Sequence, residues 1–389
     1  MENQVFREKT CLCTLNRIFG FEPKIGRVLV ERLGSGSAVF GLDGKSLREC
    51  LGPYSKYGEM ISREELDRSA EELEGLAEKG CGFVGLGEEG YPSMLRDCDD
   101  PPVGLYYKSV SSPDEIFNSR PCVAVVGTRD FSPYGQEWTE KLTAALAEAS
   151  PSPAIVSGLA YGVDFFAHRA ALAHGAPTIA VMATGIDEVY PWRHRDLAAT
   201  IADTPLCALV TDYPPGTGAV KVNFLRRNRI IAGLSRATVL TESKRKGGGM
   251  ITARLAFSSE REVYALPGRV DDARSQGCLD LIREKVAEPI GSAEGLVEAL
   301  GMGPSLQERR RDFVRTVQER YSPAVDPKTL GDLVAIAGEI RRTRGISLDE
   351  ICRKTGLPYA SVSSLTGMME GDGVIRTDLL QRCFIDLRT

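Results

Sequence analysis

The middle of the chain carries six short, nearly uninterrupted apolar runs, at residues 123–126, 154–156, 178–182, 206–211, 237–240 and 263–266. The first two are followed by stretches that predict covering helices, over about Gly135–Ala149 and Val163–His174. Strands that are apolar on both faces and alternate with helices predict an α/β fold, with a mostly parallel sheet covered on each side. In such sheets a ligand sits beyond the carboxyl ends of the strands. The candidate residues are those that follow the runs: Gly127, Thr128 and Arg129, then Ser157 and Gly158, Thr184 and Gly185, Glu242, and Pro267 with Gly268.

The flanks read differently. Leu15, Ile18, Val28, Leu29 and Leu33 mark the apolar faces of short helices broken at Gly20, Pro23, Gly34 and Gly36, and Leu66–Leu76 spaces its leucines as a charged amphipathic helix. Residues 1–82 are therefore expected to form a small all-α, SAM-like module. A strand pair between Gly82 and Tyr107 leads into the main domain, 83–303. Residues 304–335 read as a charged, Pro-containing linker. Residues 336–389 read as a winged-helix-like domain: a helix from Ser347, a turn at Thr355–Pro358, a second helix over Ala360–Glu370, and strands at Gly373–Arg376 and Cys383–Ile385. The second helix and its lead-in offer Tyr359, Ser361, Ser363, Ser364 and Thr366 but no Lys or Arg. That suits protein contact better than reading of base edges.

Charge is unevenly spread. From Lys221 to Arg254 there are nine basic residues and one acid, net +8, in a chain whose net charge is −5, so the other 355 residues carry −13. A basic island in an acidic protein points to a polyanion held at one place, or else to a solvated helix face with a basic loop. Asn223, Arg226, Arg227, Asn228 and Arg229 fall on a helix expected from about Asn223 to Leu234, with Lys221 just before it and Lys244 and Lys246 beyond it. Phe224 beside the arginines is either a base-stacking platform or a core side chain.

The strand-end residues exclude an ordinary dinucleotide site. The first loop has one glycine where the fingerprint needs three, and no acid follows the second strand to hold a ribose hydroxyl. Arg129 offers instead a planar fork suited to phosphate, at a strand end where a helix N-terminus presents amides. Ser157-Gly158 reads as a second anion nest. Gly247 to Thr252 reads as a third, with Gly248, Gly249 and Thr252 as its expected contacts. Three nests beside a basic island suit a chain of phosphates better than one nucleotide.

Gly127-Thr128-Arg129, Ser157-Gly158-Leu159-Ala160-Tyr161-Gly162-Val163-Asp164, Tyr190-Pro191, Arg227 to Leu234, Ile251-Thr252-Ala253 and Ala265-Leu266-Pro267-Gly268 resemble, in order and spacing, the signature of the DprA/Smf (DNA processing protein A) family. The resemblance is strong over roughly residues 85–300. It implies an extended Rossmann-like core, single-stranded DNA held in a basic pocket without nucleotide hydrolysis, a homodimer, and loading of RecA during natural transformation. The DNA contacts it implies are Arg129, Ser157, Gly158, Phe224, Arg227, Asn228 and Arg229, with Leu279 and Ile282 at a dimer or RecA interface. The chain departs from the family pattern at Gly248-Gly249-Met250, at His194, and at Gly277-Cys278-Leu279-Asp280-Leu281-Ile282.

Composition narrows the rest. No run approaches the roughly 18 apolar residues of a membrane span, and Met1-Glu2-Asn3-Gln4 opens no secretory signal. Ten scattered cysteines and three histidines make no metal-ligand pattern, so a reduced, cytoplasmic protein without cofactor or metal is expected. Asp164 and His168 lie four apart on one predicted helix face, which reads as a structural hydrogen bond. The expectation is a non-enzymatic recombination mediator that protects single-stranded DNA and loads RecA onto it. The alternative is a nucleotide-processing enzyme of the phosphoribohydrolase type, but Ala253-Arg254-Leu255-Ala256 supplies no acid after the glycine loop.

Overall fold

Each apolar run of the middle segment forms a strand. The computed structural model describes residues 2–303, 306–343, 345–378 and 380–386, divided into two compact units between Leu300 and Gly301. In the first unit the strands are β1 (Cys81–Gly85), β2 (Gly104–Lys108), β3 (Cys122–Val126), β4 (Ala154–Ser157), β5 (Thr178–Val181), β6 (Ala208–Thr211), β7 (Ala237–Leu240), β8 (Glu262–Ala265) and β9 (Glu288–Pro289). They form one sheet in the order β1-β2-β6-β5-β4-β3-β7-β8-β9. β1 pairs antiparallel with β2 and β2 with β6, and the pairs from β6 across to β9 are parallel.

The order places the site. From β3 the chain builds outward through β4, β5 and β6, then crosses back to lay β7 on the other side of β3. Where the winding reverses, the loops after β3 and β7 diverge and leave a crevice. Strand residues alternate between two cores, as period-two geometry requires. Ile179 and Val181 face one core with Leu234 and Met250, and Ala180 and Met182 face the other with Leu209 and Ile201.

The five helices between Glu2 and Ala77 share that second core: Leu12, Leu15, Phe19 and Leu73 pack in one cluster with Phe83, Tyr106 and Leu209. Residues 2–82 therefore complete one face of the sheet and have no separate core of their own. Asn16 ties them to the sheet, its amide donating to the Asp212 carbonyl at 2.9 Å and its carbonyl accepting from Gly104 N–H at 3.2 Å.

The Asp164–His168 pair does not form. His168 Nδ1 bonds Thr178 Oγ1 at 2.7 Å, and Thr178 spends its own hydroxyl proton on the Ile155 carbonyl. His168 must therefore donate from Nδ1, which leaves Nε2 bare and buried. Burial pushes its pKa down to about 3. The unfolded chain binds a proton there near pH 6.5 while the folded chain refuses it, so the contribution to stability is complete above pH 6.5 and is lost as pH falls toward 3. The slope approaches about 1.4 kcal/mol per pH unit in that window. Melting temperatures of the native protein and His168→Gln between pH 7 and 4.5 should diverge, the variant losing less. Parallel curves would exclude His168 as the acid-sensitive group.

The second unit corrects the linker expectation, whose first two residues (304–305) lie outside the described residues. Helices Leu306–Tyr321 and Pro327–Arg342 occupy most of residues 304–335 and beyond. Phe313, Val317 and Tyr321 recur every fourth residue among charges, with Val314 beside them, a narrow stripe that packs with Leu333, Ile336 and Ile340. Helices Leu348–Thr355 and Tyr359–Gly371 follow, and the first opens on a Ser347–Glu350 capping box. A three-stranded antiparallel sheet takes Arg382–Ile385 as its middle strand, between Ile346–Ser347 and Ile375–Thr377. Among the described residues no helix is long and apolar enough to cross a membrane.

Candidate functional site

A cavity of about 550 Å³ opens at the reversal point. The loop after β3 makes one wall, the helix Lys221–Leu234 a second, and the start of the helix Gly248–Ser258 a third. Of the residues expected from sequence it gathers Gly127, Thr128, Arg129, Lys221, Phe224, Arg227, Asn228, Gly248, Gly249 and Thr252.

The first wall is pinned from both sides. Thr128 N–H donates to the Glu242 carbonyl beyond β7 at 2.8 Å, and the Thr128 carbonyl accepts from Val163 N–H at 3.2 Å. The Glu242 carboxylate is buried, accepting from Ser132 N–H at 2.8 Å and from its hydroxyl at 2.7 Å. Gly162 adopts φ +79°, and a Cβ there would strike the Thr128 carbonyl oxygen. A Cβ on Gly249 would sit 2.6 Å from Leu240 and 3.2 Å from Gly127 Cα, so the first and third walls meet backbone to backbone.

Of the three expected nests, one keeps its character. In the first, the Thr128 amide is spent on Glu242 and the Asp130 amide on Thr128 Oγ1 at 3.1 Å. That loop therefore offers the Arg129 side chain in place of a ring of amides. The second is filled. Ser157 is buried with its hydroxyl on the Val125 carbonyl, and the Gly158 carbonyl accepts from Arg227 Nη1 at 2.7 Å. The third remains a helix N-terminus with no side-chain cap, lining the cavity through Gly248 and Gly249.

The basic island divides in the same way. Arg227 is 3% exposed, and its Nη1 also donates to the Val181 carbonyl, clamping the ends of β4 and β5. Burial lowers its pKa to about 10, so it stays a cation at neutral pH. Beside it, burial raises the pKa of Asp164, with Arg227 opposing that shift. Arg229 does not reach the cavity: it pairs with Asp212 at 2.6 Å and donates to the Asp100 carbonyl. Arg226 donates to the Gly20 and Phe21 carbonyls and lies 4.4 Å over the Phe21 ring. Asn223 is buried, its amide toward the Gly218 carbonyl. Lys244 pairs with Asp130 at 2.8 Å, which holds the Asp130 carboxyl below its ordinary pKa. Lys246 is exposed outside the cavity lining. Leu279 and Ile282 sit half-buried on the helix Gln276–Arg283, with Ile282 against the main core.

What faces the opening is smaller and more specific than the island. Arg129 is exposed, its guanidinium 4.9 Å from the Phe224 ring centroid. Phe224 meets Tyr190 edge to face at 5.3 Å. Lys221 is exposed at the start of its helix. Asn228 ties that helix to the third wall through the Gly248 carbonyl at 3.4 Å. Sequence reasoning passed over Tyr190 as a site residue, although its place before Pro191, after β5, was the available signal. The cavity thus joins two exposed cations, one helix N-terminus and two aromatic rings, with Asp130 (paired to Lys244) and Asp164 also in its lining, a set that can hold an anion beside a flat, unsaturated group.

Residues 82–301 match the family model for DNA recombination-mediator protein A. Protein Smf of Synechocystis is 35% identical over 289 residues, covering 73% of this chain and 71% of its own length. DNA processing protein DprA of Streptococcus pneumoniae is 41% identical over 194 residues, 50% of this chain and 66% of that protein. The crystal structure of the Streptococcus pneumoniae protein aligns with a TM-score of 0.60 at 29% identity, covering 76% of this chain and 95% of that one. DNA processing protein A of Helicobacter pylori, whose structure describes a single-stranded DNA binding mode, aligns with a TM-score of 0.50 at 28% identity, covering 56% of this chain and 95% of its own.

Proposed function

Because this chain belongs to the DNA recombination-mediator protein A family, we propose that it binds single-stranded DNA in the cavity at the sheet reversal and delivers that strand to RecA. The observation that carries the reading is the juxtaposition of the Arg129 guanidinium with the Phe224 ring, 4.9 Å apart, beside the open N-terminus of the helix at Gly248. Arg129, Lys221 and the helix N-terminus take successive phosphates, and Phe224 and Tyr190 take an unpaired base. A duplex keeps its bases stacked inside, so the rings reach them only in a single strand. Arg227, Gly158 and Ser157 support the floor without touching the strand, and Asn228 holds the third wall in place.

Protection of the strand follows from its seclusion between the three walls. Delivery to RecA and self-association belong to the same reading, with Leu279 the better candidate for contact because Ile282 packs on the core. The second unit serves protein contact, since the helix Tyr359–Gly371 carries no cation for phosphate. The phosphoribohydrolase reading has no support here: the buried acids nearest the cavity, Asp164 and Glu242, are taken up by backbone amides and Ser132.

The test is a salt titration of single-strand affinity with the duplex measured in parallel. Two to three phosphate contacts give a log–log slope of about −1.4 to −2.1. A flat response, or equal affinity for duplex, would remove the phosphate track.

A further inference from the structure

The chain leaving β5 carries aromatic and cationic residues that the cavity alone does not use. Tyr190 lines the cavity, and two residues later Trp192 opens a short 3₁₀ turn, Trp192–His194, with its indole 64% exposed. The turn is anchored from inside. His194 is buried, donates from Nδ1 to the Leu159 carbonyl at 2.9 Å, and packs its ring against Tyr161 at 4.9 Å and Phe165 at 4.8 Å. Arg193 and Arg195 flank it, both exposed, and the Arg195 guanidinium lies 5.2 Å from the Trp192 ring centroid. The arrangement repeats that of Arg129 on Phe224: a flat ring, a cation against it, and a rigid mount.

We propose that Trp192 is a second stacking platform, and that a single strand leaving the cavity over Tyr190 lays its next bases on Trp192 while Arg193 and Arg195 hold the phosphates. The inference rests on the reading of the cavity as a single-strand site and extends it by naming the exit. Three features favour this occupant. Tyr190 lines the cavity and stands two residues before Trp192, so one short stretch of chain leads from the cavity to the indole. Arg193 and Arg195 flank the indole and suit a polyanion, although Arg195 also pairs with the exposed Asp196 carboxylate at 3.4 Å. The buried His194 anchor fixes the turn that carries the ring, so less backbone ordering is needed for stacking. A protein partner at this patch is the competing occupant that the test excludes.

The chain has two tryptophans, so in a Trp138→Phe background Trp192 is the sole indole. That protein is titrated with oligothymidylates of about six and about twenty nucleotides, following both affinity and tryptophan emission. Both should bind, and the longer one alone should quench the emission. Adding Trp192→Ala should weaken the longer oligonucleotide about tenfold, the scale of one lost base stack, and leave the shorter one unchanged. Arg193→Glu should act in the same direction, with a shallower salt slope. Unchanged affinity of the long oligonucleotide for Trp192→Ala, or saturation without a change in emission, overturns the platform while the cavity stands. If neither length binds the folded protein, the cavity reading falls and the platform with it.

Discussion

Arg129→Ala combined with Lys221→Ala is expected to lower single-strand affinity by about 100-fold or more while leaving the melting temperature within a degree or two of the native protein. Each removes one charge-assisted contact to phosphate, worth about 1.5–3 kcal/mol, and two such losses on one ligand exceed a hundredfold. Both side chains stand exposed at the cavity, and Arg129 acts on the buried Asp164–Arg227 pair only through its charge, so folding should be nearly indifferent to them. Either single mutant should fall between the double mutant and the native protein. Undiminished affinity in a folded double mutant would exclude the cavity as the binding site.

Arg229→Ala should do the opposite. Its side chain is 10% exposed and that of Asp212 4%, with 2.6 Å between Nη2 and Oδ2. Removing the guanidinium strands a buried carboxylate, a change that costs about 3–5 kcal/mol. In a unit of this size the melting temperature should drop by about 5–8 °C. Below that transition the remaining folded protein should bind single strands as the native protein does, because Arg229 points to Asp100 and Asp212 and not into the cavity. Replacing both partners, Arg229→Met with Asp212→Leu, should recover much of the loss. A variant that melts normally and loses DNA would return Arg229 to the binding surface.

The contrast between these two arginines marks the line between what the residue order reveals and what it hides. The parallel sheet was legible because a strand buried on both faces must be apolar throughout, and Cys122–Val126 or Ala154–Ser157 admits few other readings. The cavity's position followed from strand ends, which is why Arg129, Gly248 and Gly249 were accessible to reasoning. The partners of the island's arginines were not. Arg226 is met by carbonyls at Gly20 and Phe21, Arg227 by Gly158 and Val181, and Arg229 by Asp100 and Asp212. Most of these lie far away in the chain and come from three different sides of one helix. Counting charges sums them into a basic surface, whereas the fold spends them as internal struts. The helix Leu306–Tyr321 hid for a related reason: Phe313, Val317 and Tyr321 make too narrow a stripe to stand out among Arg and Glu.

The backbone contact between Gly127 and Gly249 also sets a schedule for the growing polypeptide. The two glycines are separated by roughly 120 residues, which a ribosome adds in about 6–24 s at about 5–20 residues per second. Through that interval the nascent chain already displays Arg129, but the carbonyl of Glu242 that will hold the Thr128 amide has not been made. The ring of Phe224 arrives only shortly before the third wall. A chain that stalls after β6 (Ala208–Thr211) is thus left with one wall of the cavity and neither of the helices that face it.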